Sequence, residues 1–438
     1  MIQRMKALAV FAASAVVLAA CSGGNNGASA SGGGSSNVTL TIAAVQGVED
    51  TGLKALAPMY TAKTGVKINI VEAPYADLYT KLVNAFQAND STYDLAMMDD
   101  PWMPKFGTMG ALSSLEPLGI QKDTDVAQVV WDVGTWPPPR GPVPPSEKAK
   151  QQQLLGVTIV GNVEMFMWRK DITPNGPASY DEVLANAKAQ NKSNFAGYII
   201  RGKATNPVVA DFLPILWSFG GDVFDENWNV VFDNAQSLAA VKFLVNDLKA
   251  VAQADPASSD AAERDKAMAT GQGYQSSTWP GEINTAVLGP GTTVKDKVGF
   301  EPIPKGPSGN GVGMMGNWML GIPKASKNQQ AAADFIKWML QKDTQMTYAQ
   351  HGGIPSRTSV LKDPSLQSAN PYFSVLADAL QAPPNWRPRT DQWNNVETIL
   401  GQELNKALAG QQSAQDVVTN ASKQIRDLMK QAGYPTAQ

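Results

Sequence analysis

The stretch "YDLAMMDD", residues 93–100, puts four apolar residues, Leu95 to Met98, directly before two aspartates. A short apolar run that ends abruptly in charge reads as a buried strand whose carboxyl end meets solvent or a ligand. Working back from it, Val66-Ile68-Ile70 alternates with polar residues, and a helix carrying Leu78, Leu82 and Phe86 lies between the two segments. Further back, Val38-Leu40-Ile42 alternates with Thr39 and Thr41, and a helical stretch runs through Leu53, Leu56 and Tyr60 to Gly65. This β-α-β-α-β series predicts an α/β fold with a parallel sheet covered by helices on both faces. Such sheets bind ligands outside the carboxyl ends of their strands. Gln46, just after the first strand, and Asp99, Asp100 and Trp102, just after the third, are therefore candidate site residues.

Downstream, "WPPPRGPVPP", residues 136–145, lacks the backbone donors for a regular element and is expected to be an exposed loop. A second α/β pattern follows. Leu155-Val157-Ile159 and "MFMWRKD" (165–171) read as strands, and Ser179 three residues before Glu182 has the form of a capping box. Asp233-Asn234 precedes a helix with Leu238, Val241, Leu244, Val245 and Leu248 on one face. Phe335, Ile336, Met339 and Leu340 mark another helix, and Ser413 with Asp416 opens the last, which runs through Val417, Ala421, Ile425 and Leu428 to Gly433.

A chain of 438 residues with 43% hydrophobic content suits more than one core, so two domains are expected. At the amino end, Arg4 and Lys6 precede an apolar segment from Ala7 to Ala20, interrupted only by Ser14. That segment is shorter than the roughly 20 residues a spanning helix needs, and reads as an export signal. After Cys21, the chain's one cysteine, come fifteen residues, "SGGNNGASASGGGSS", a flexible leash with a span of about 20 Å. Without residues 1–20, 34 basic side chains stand against 39 acidic ones, a formal charge of −5. There is no basic stripe, so a nucleic-acid partner is not expected. One cysteine and one histidine, His351, leave no internal disulfide, no thiolate metal site and no histidine-based triad. The reading is of no metal, no cofactor and no catalytic residues.

Leu18-Ala19-Ala20-Cys21 resembles the lipobox of bacterial lipoproteins, which implies lipidation at Cys21 after removal of residues 1–20. Two long acyl chains make a durable membrane tether. Six segments in order resemble one family: "YDLAMMDDPWMPKFGTMGALSSLEPL" (93–118), "MFMWRKD" with "SYDEVLANAK" (179–188), "SFGGDVFDENWNVVFDNAQSLAAVKFLVNDL" (218–248), "VGFEPIPKGPSG" (298–309), "NWMLGIPKASKNQQAAADFIKWML" (317–340) and "GGIPSRTSV" (352–360). They are similar to the family 1 solute-binding lipoproteins of bacterial ABC importers, a branch typical of sugars and polyols. The resemblance implies a type II periplasmic-binding-protein fold, with two α/β lobes, a hinge and a ligand cleft between them. It divides the chain into a signal peptide (1–20), a linker (21–36), an N-terminal lobe (37–160 and 301–333) and a C-terminal lobe (161–300 and 334–438). It further implies a monomeric binding protein rather than an enzyme. The protein would sit on the extracytoplasmic side of the cell envelope and hand a small carbohydrate or polyol to the transmembrane subunits of a permease.

Eleven tryptophans with only 17% charged residues suit an uncharged, hydroxyl-rich ligand, because aromatic rings cover its C–H faces while carboxylates, amides and arginine take its hydroxyls. Trp217, Trp228 and Trp338 lie on apolar-periodic segments and are expected in cores. The resemblance places Trp279 of "SSTWPG", Trp318 at the start of "NWMLGIP" and Trp393 of "RTDQWNNVETIL" at the cleft. It adds Asn162 of "VGNVEM", where polyol binders often carry glutamate, and Arg201 of the Arg201-Gly202-Lys203 stretch. Gly353 and Arg357 of "HGGIPSR" match a loop that closes on the ligand through backbone amides. His351 is expected to be a structural neighbour of that loop. Two other readings stay open: a lipid-anchored glycoside hydrolase using a facing carboxylate pair, and a binding protein for an anionic or peptide-like solute held by Arg201 and Arg357.

Overall fold

The computed structural model describes residues 38–382 and 384–435; Cys21 and the signal and leash read around it lie outside them. Strand Thr39–Val45 pairs in parallel with Lys67–Ala73 along its whole length, from Thr39↔Lys67 to Val45↔Ala73. On its other side it pairs in parallel with Leu95–Asp99. The burial follows from position: Lys67–Ala73 is an edge strand with a largely open pattern, whereas every residue of Leu95–Asp99 is buried. Helix Thr51–Thr64 connects the first pair, and Gly65 stops it at φ 79°, a left-handed conformation that glycine adopts without a Cβ clash.

The sheet is not purely parallel as read from the pattern. Trp318–Gly321 joins it antiparallel beside Leu95–Asp99, with Trp318 opposite Asp99, and Val157–Val160 lies antiparallel on that strand. Periodicity gives burial, not direction, so a strand returning from far along the chain was invisible to it. A second sheet is wholly antiparallel, with Met165–Arg169 between Gln275–Thr278 and Val298–Glu301. Its central strand alternates faces. Phe166 and Trp168 pack with helices Asn206–Ser218, Trp393–Leu408 and Ala414–Gln431, while Met165 and Met167 join the apolar cluster of the first sheet. The apolar side chains of helices Gln329–Met339 through Phe373–Gln381 also belong to that first cluster.

Three stretches pass between the sheets and are bonded to one another. Glu164 N–H donates to Met314 O (2.8 Å), Gly316 N–H to Asn162 O (3.1 Å), Met315 N–H to Asn385 O (2.8 Å) and Asn385 N–H to Gly313 O (3.1 Å). The two α/β lobes thus share a hydrogen-bonded crossing. Among the described residues no helix is long and apolar enough to cross a membrane.

The proline-rich stretch is less exposed than its composition suggests. Trp136, Pro137, Pro138 and Pro144 are buried. The Trp136 indole donates to Glu147 (2.9 Å), and its ring lies against Gly107, where an added Cβ would come within 2.5 Å of it. Prolines without donors fold inward here because the tryptophan anchors them. The helix caps behave as read: Ser413 and Asp416 complete a reciprocal box, and Asn234 accepts from Ser237 N–H at 2.7 Å. At Ser179 the box is shifted, because Glu182 reaches the Ala178 N–H instead.

The Tyr348 ring is packed on Gly52 and Gly353, where an added Cβ would lie 2.2 and 2.4 Å from its carbons. Gly353→Val is expected to destabilise the protein by ~1–3 kcal/mol, the usual cost of overpacking. Denaturant unfolding of both forms checks it; equal midpoints would show that the ring can move aside.

Candidate functional site

The carboxyl ends of the three parallel strands converge on a cavity of about 460 Å³. Gln46 and Glu49 follow the first strand, Pro74 and Tyr75 the second, and Asp99 closes the third. The crossing supplies Asn162, Gly316, Trp318 and Arg387, and the second lobe faces them with Arg201, Asn206, Asp260, Trp279 and Glu282. Its volume is within the ~300–1,000 Å³ of small-molecule sites.

The aromatic part is braced from behind. Tyr75, Trp102 and Trp318 form a cluster with ring centroids 4.9 Å (Tyr75–Trp102), 5.5 Å (Trp102–Trp318) and 5.9 Å (Tyr75–Trp318) apart. Across the cavity, the Trp279 ring lies on Gly316, where an added Cβ would come within 2.4 Å of it. Only glycine lets that indole sit flat against the crossing.

The polar part is a set of ion pairs. Arg387 is buried and reaches Asp99 at 3.2 Å and Asp100 at 3.0 Å, while the Tyr75 hydroxyl donates to Asp99 at 2.8 Å. Arg201 lies 3.7 Å from Asp211 and 3.8 Å from Asp260, and donates to Asn206 at 3.2 Å. Lys203 reaches Asp260 at 3.3 Å. Behind Trp279, Arg264 pairs with Glu282 and, at 3.8 Å, with Asp211. Thr205, before helix Asn206–Ser218, has φ 73°. A β-branched residue there carries strain of order 1–3 kcal/mol, a feature that clusters at ligand sites.

Of the residues read from the sequence, Gln46, Asp99, Asn162, Arg201, Trp279 and Trp318 line this cavity, and five do not. Asp100 is turned inward, fully buried against Arg387. Trp102 is buried behind Tyr75 and Trp318, a support rather than a wall. Trp393 is 1% exposed and packs in the second core. Gly353 serves the Tyr348 ring, and Arg357 is spent on Asp123, on Asp125 at 3.0 Å and on Leu340 O at 2.7 Å. His351 is exposed and its Nδ1 contacts Thr347 O at 2.8 Å. The reading missed Glu49, Tyr75, Asn206, Asp260, Glu282 and Arg387. Tyr75 and Glu49 follow parallel strands, so the rule that found Gln46 also reaches them. Trp217 and Trp228 are buried as expected, and Trp338 is half-buried.

The bacterial extracellular solute-binding protein family matches residues 44–346, and the chain belongs to it. A probable amino-acid ABC transporter periplasmic-binding protein of Sinorhizobium fredii is 25% identical over 383 residues, 86% of this chain and 85% of that protein. Among solved structures, the maltose-bound MalE3 of T. maritima superposes with a TM-score of 0.77 at 24% identity, covering 89% of this chain and all of that one. An ABC transporter solute-binding protein of Agrobacterium radiobacter K84, in complex with ribitol, gives 0.79 at 21% identity, covering 90% and 99%. These likenesses show the two-lobed α/β fold.

Burial sets the proton affinities around the cavity. It pushes the Asp100 carboxyl up to about 7 against the pull of Arg387, with Asp99 adding to the rise. It pushes Glu49 up to about 7 as well, Asp99 and Asp50 contributing in the same direction. Burial, with Asp211 next, holds Glu164 well above the carboxylate range. Arg387 would lose its proton more readily through burial alone, but Asp99 and Asp100 raise it on balance. Asp123 and Asp125, bound to Arg357 and neighbouring donors, are lowered instead. A raised carboxyl binds its proton more tightly folded than unfolded, so stability falls as pH climbs from about 4 to about 7. The lowered ones lose their contribution only below about 4. The melting temperature is therefore expected to peak near pH 4 and decline towards pH 7, and Glu49→Gln to decline less steeply; calorimetry from pH 3 to 8 that found a maximum above pH 7 would contradict the assignment.

Proposed function

We propose that the cavity captures a small carbohydrate or polyol, and that the protein delivers it to the transmembrane subunits of an ABC permease. The observation that carries this is the lining itself: Trp279, Trp318 and Tyr75 around oriented polar groups from Gln46, Asp99, Asn162, Arg201, Asn206 and Arg387. Flat aromatic faces match C–H faces, and carboxylate, amide and guanidinium groups match hydroxyls. The family membership supports a binding protein that performs no chemistry on its ligand and works outside the cytoplasm.

The lobes we propose follow the division read from the sequence, 37–160 with 301–333 and 161–300 with the remainder, except that 334–381 and the apolar side chains from Ile283 to Val298 share the first lobe's core, while Ile303 and Met314 join the second. They close over the ligand about the three-stranded crossing. Closure from 1:99 to 99:1 needs about 5.5 kcal/mol of extra affinity for the closed state, and contacts from both lobes are its source. The amino-terminal reading completes the proposal: Cys21, lipidated, holds a monomer to the membrane on the extracytoplasmic side, and residues 22–36 let it reach its permease.

Thermal shift over sugars, polyols, sugar acids and amino acids tests the reading, amino acids being included because of the name of the S. fredii relative. A ligand at 100 times its Kd adds ~2.7 kcal/mol, and the expectation is a clear shift with a sugar or polyol that is recovered unchanged. A shift confined to amino acids, or hydrolysis of a glycoside at catalytic rates, would overturn it. Trp279→Ala is expected to raise the Kd of that ligand about tenfold, roughly the 1.4 kcal/mol of a lost stacking face, measured by titration calorimetry.

A further inference from the structure

The cavity wall carries four carboxylates, Glu49, Asp99, Asp260 and Glu282, against three cationic side chains, Arg201, Lys203 and Arg387. Each of those cations is already committed. Arg387 is shared by Asp99 and Asp100, Arg201 by Asp211 and Asp260, and Lys203 by Asp260. Glu282 is held by Arg264. Glu49 is different: it lines the cavity, half-buried, and among the described residues it makes no ion pair. Asn162, 2% exposed on the same wall, keeps its Oδ1 without a hydrogen-bond partner. An unpaired carboxylate and an unpaired amide oxygen are acceptors waiting for donors, and an ammonium group offers three of them with a positive charge.

Helix amino termini also face the cavity, and their partial positive charge could favour an anion. Three of the four carry an acid. Asp260 caps Ala261–Ala269, Glu282 lies in the first turn of Pro280–Ala286, and Asp77 in that of Tyr75–Gln87. Helix Asn206–Ser218 lacks an acid in its first turn, but Asn206 donates to the buried carboxylate of Glu397 at 3.1 Å. Three of these four positive ends are matched by an acid, and the surplus of side-chain charge on the wall is negative.

From this, and resting on the receptor reading above, we infer that the preferred ligand is a cationic member of its class, an aminated sugar or polyol whose ammonium group is received by Glu49. Closing the cavity over a neutral ligand requires Glu49 either to remain a costly buried charge or to take up a proton, whereas a charge-assisted bond to an ammonium lets it stay ionised. An anionic ligand would have to compete with carboxylates that already pair with every cation of the wall, the buried Nε of Arg201 and Arg387 being the donors still without a hydrogen-bond partner among the described residues.

Sorbitol, glucamine (1-amino-1-deoxysorbitol) and gluconate share one six-carbon skeleton with charge zero, positive and negative. Glucose, glucosamine and glucuronate are the cyclic equivalent. Titration calorimetry of the wild-type protein with both sets at pH 7.5 is expected to show the amine bound at least about tenfold tighter than its neutral counterpart, equivalent to ~1.4 kcal/mol, and the acid bound weakest. In Glu49→Gln the amine's advantage should shrink to about threefold or less. Neutral and amine bound equally by the wild type, the acid bound tightest, or an advantage that survives Glu49→Gln would each overturn the inference while leaving a sugar receptor standing. Binding of no sugar or polyol at all, in these sets and in the wider panel, would sink the receptor reading and this inference with it. The wild-type comparison does not depend on the variant, so a poorly folded variant could not hide the answer.

Discussion

The buried contact of Arg387 with Asp99 and Asp100 is the constraint around which the site is arranged. Taking three charged groups out of water costs several kcal/mol per ion, and the fold accepts that cost where the chain crosses between lobes. Asp99 ends the third strand of the first sheet, and Arg387 follows Asn385, which is bonded to both Gly313 and Met315. The pair therefore fixes the crossing to the sheet. Removing Arg387 alone would leave two carboxylates buried without a partner, which is the situation that costs ~3–5 kcal/mol in proteins generally. Arg389, two residues on, donates to Asp100 O at 2.8 Å and Val133 O at 2.7 Å and ties down the same segment.

That anchoring explains why the cavity can be shaped before any ligand arrives. Trp318 belongs to a strand paired with Asp99, so its ring position follows from the sheet register. Trp102, buried at its back, prevents it from tilting away. Trp279 is fixed in the opposite sense, by the absence of a side chain at Gly316. Rings that need not reorganise cost little entropy when a ligand stacks on them, and this preorganisation is what lets a small molecule bind well in a modest cavity.

Much of this architecture was legible, and the gaps have physical causes. Periodicity gave the strands at 39–45, 67–73 and 95–99, and the rule that ligands meet the carboxyl ends of parallel strands led to Gln46 and Asp99. The same rule extends to Tyr75, directly after Pro74, yet an aromatic at a helix start reads as core packing unless the strand before it is weighed. Asp100 and Trp102 were placed in the cavity because they follow Asp99, but successive side chains at a strand end point different ways. Family position points to Trp393, Gly353 and Arg357, but Trp393 packs in the second core, Gly353 lies under the Tyr348 ring, and Arg357 is engaged by the partly exposed Asp123 and Asp125. Arg387 had no local signal. It lies in the irregular stretch "NWRPRT" (385–390), and its role comes from partners 288 residues away in sequence, which no local pattern encodes.

The charge pattern of the second lobe's wall extends the same logic outward. Arg201 and Arg264 share Asp211, and Arg264 also holds Glu282, so these cations form one chain of contacts behind Trp279. Glu164 sits beside this chain, its proton affinity raised by burial and by Asp211. Glu49 stands apart, on the first lobe, where Lys54 is engaged with Asp50 and Glu72. The two walls therefore differ in kind. One presents charges already paired with one another, and the other presents a carboxylate that makes no ion pair among the described residues.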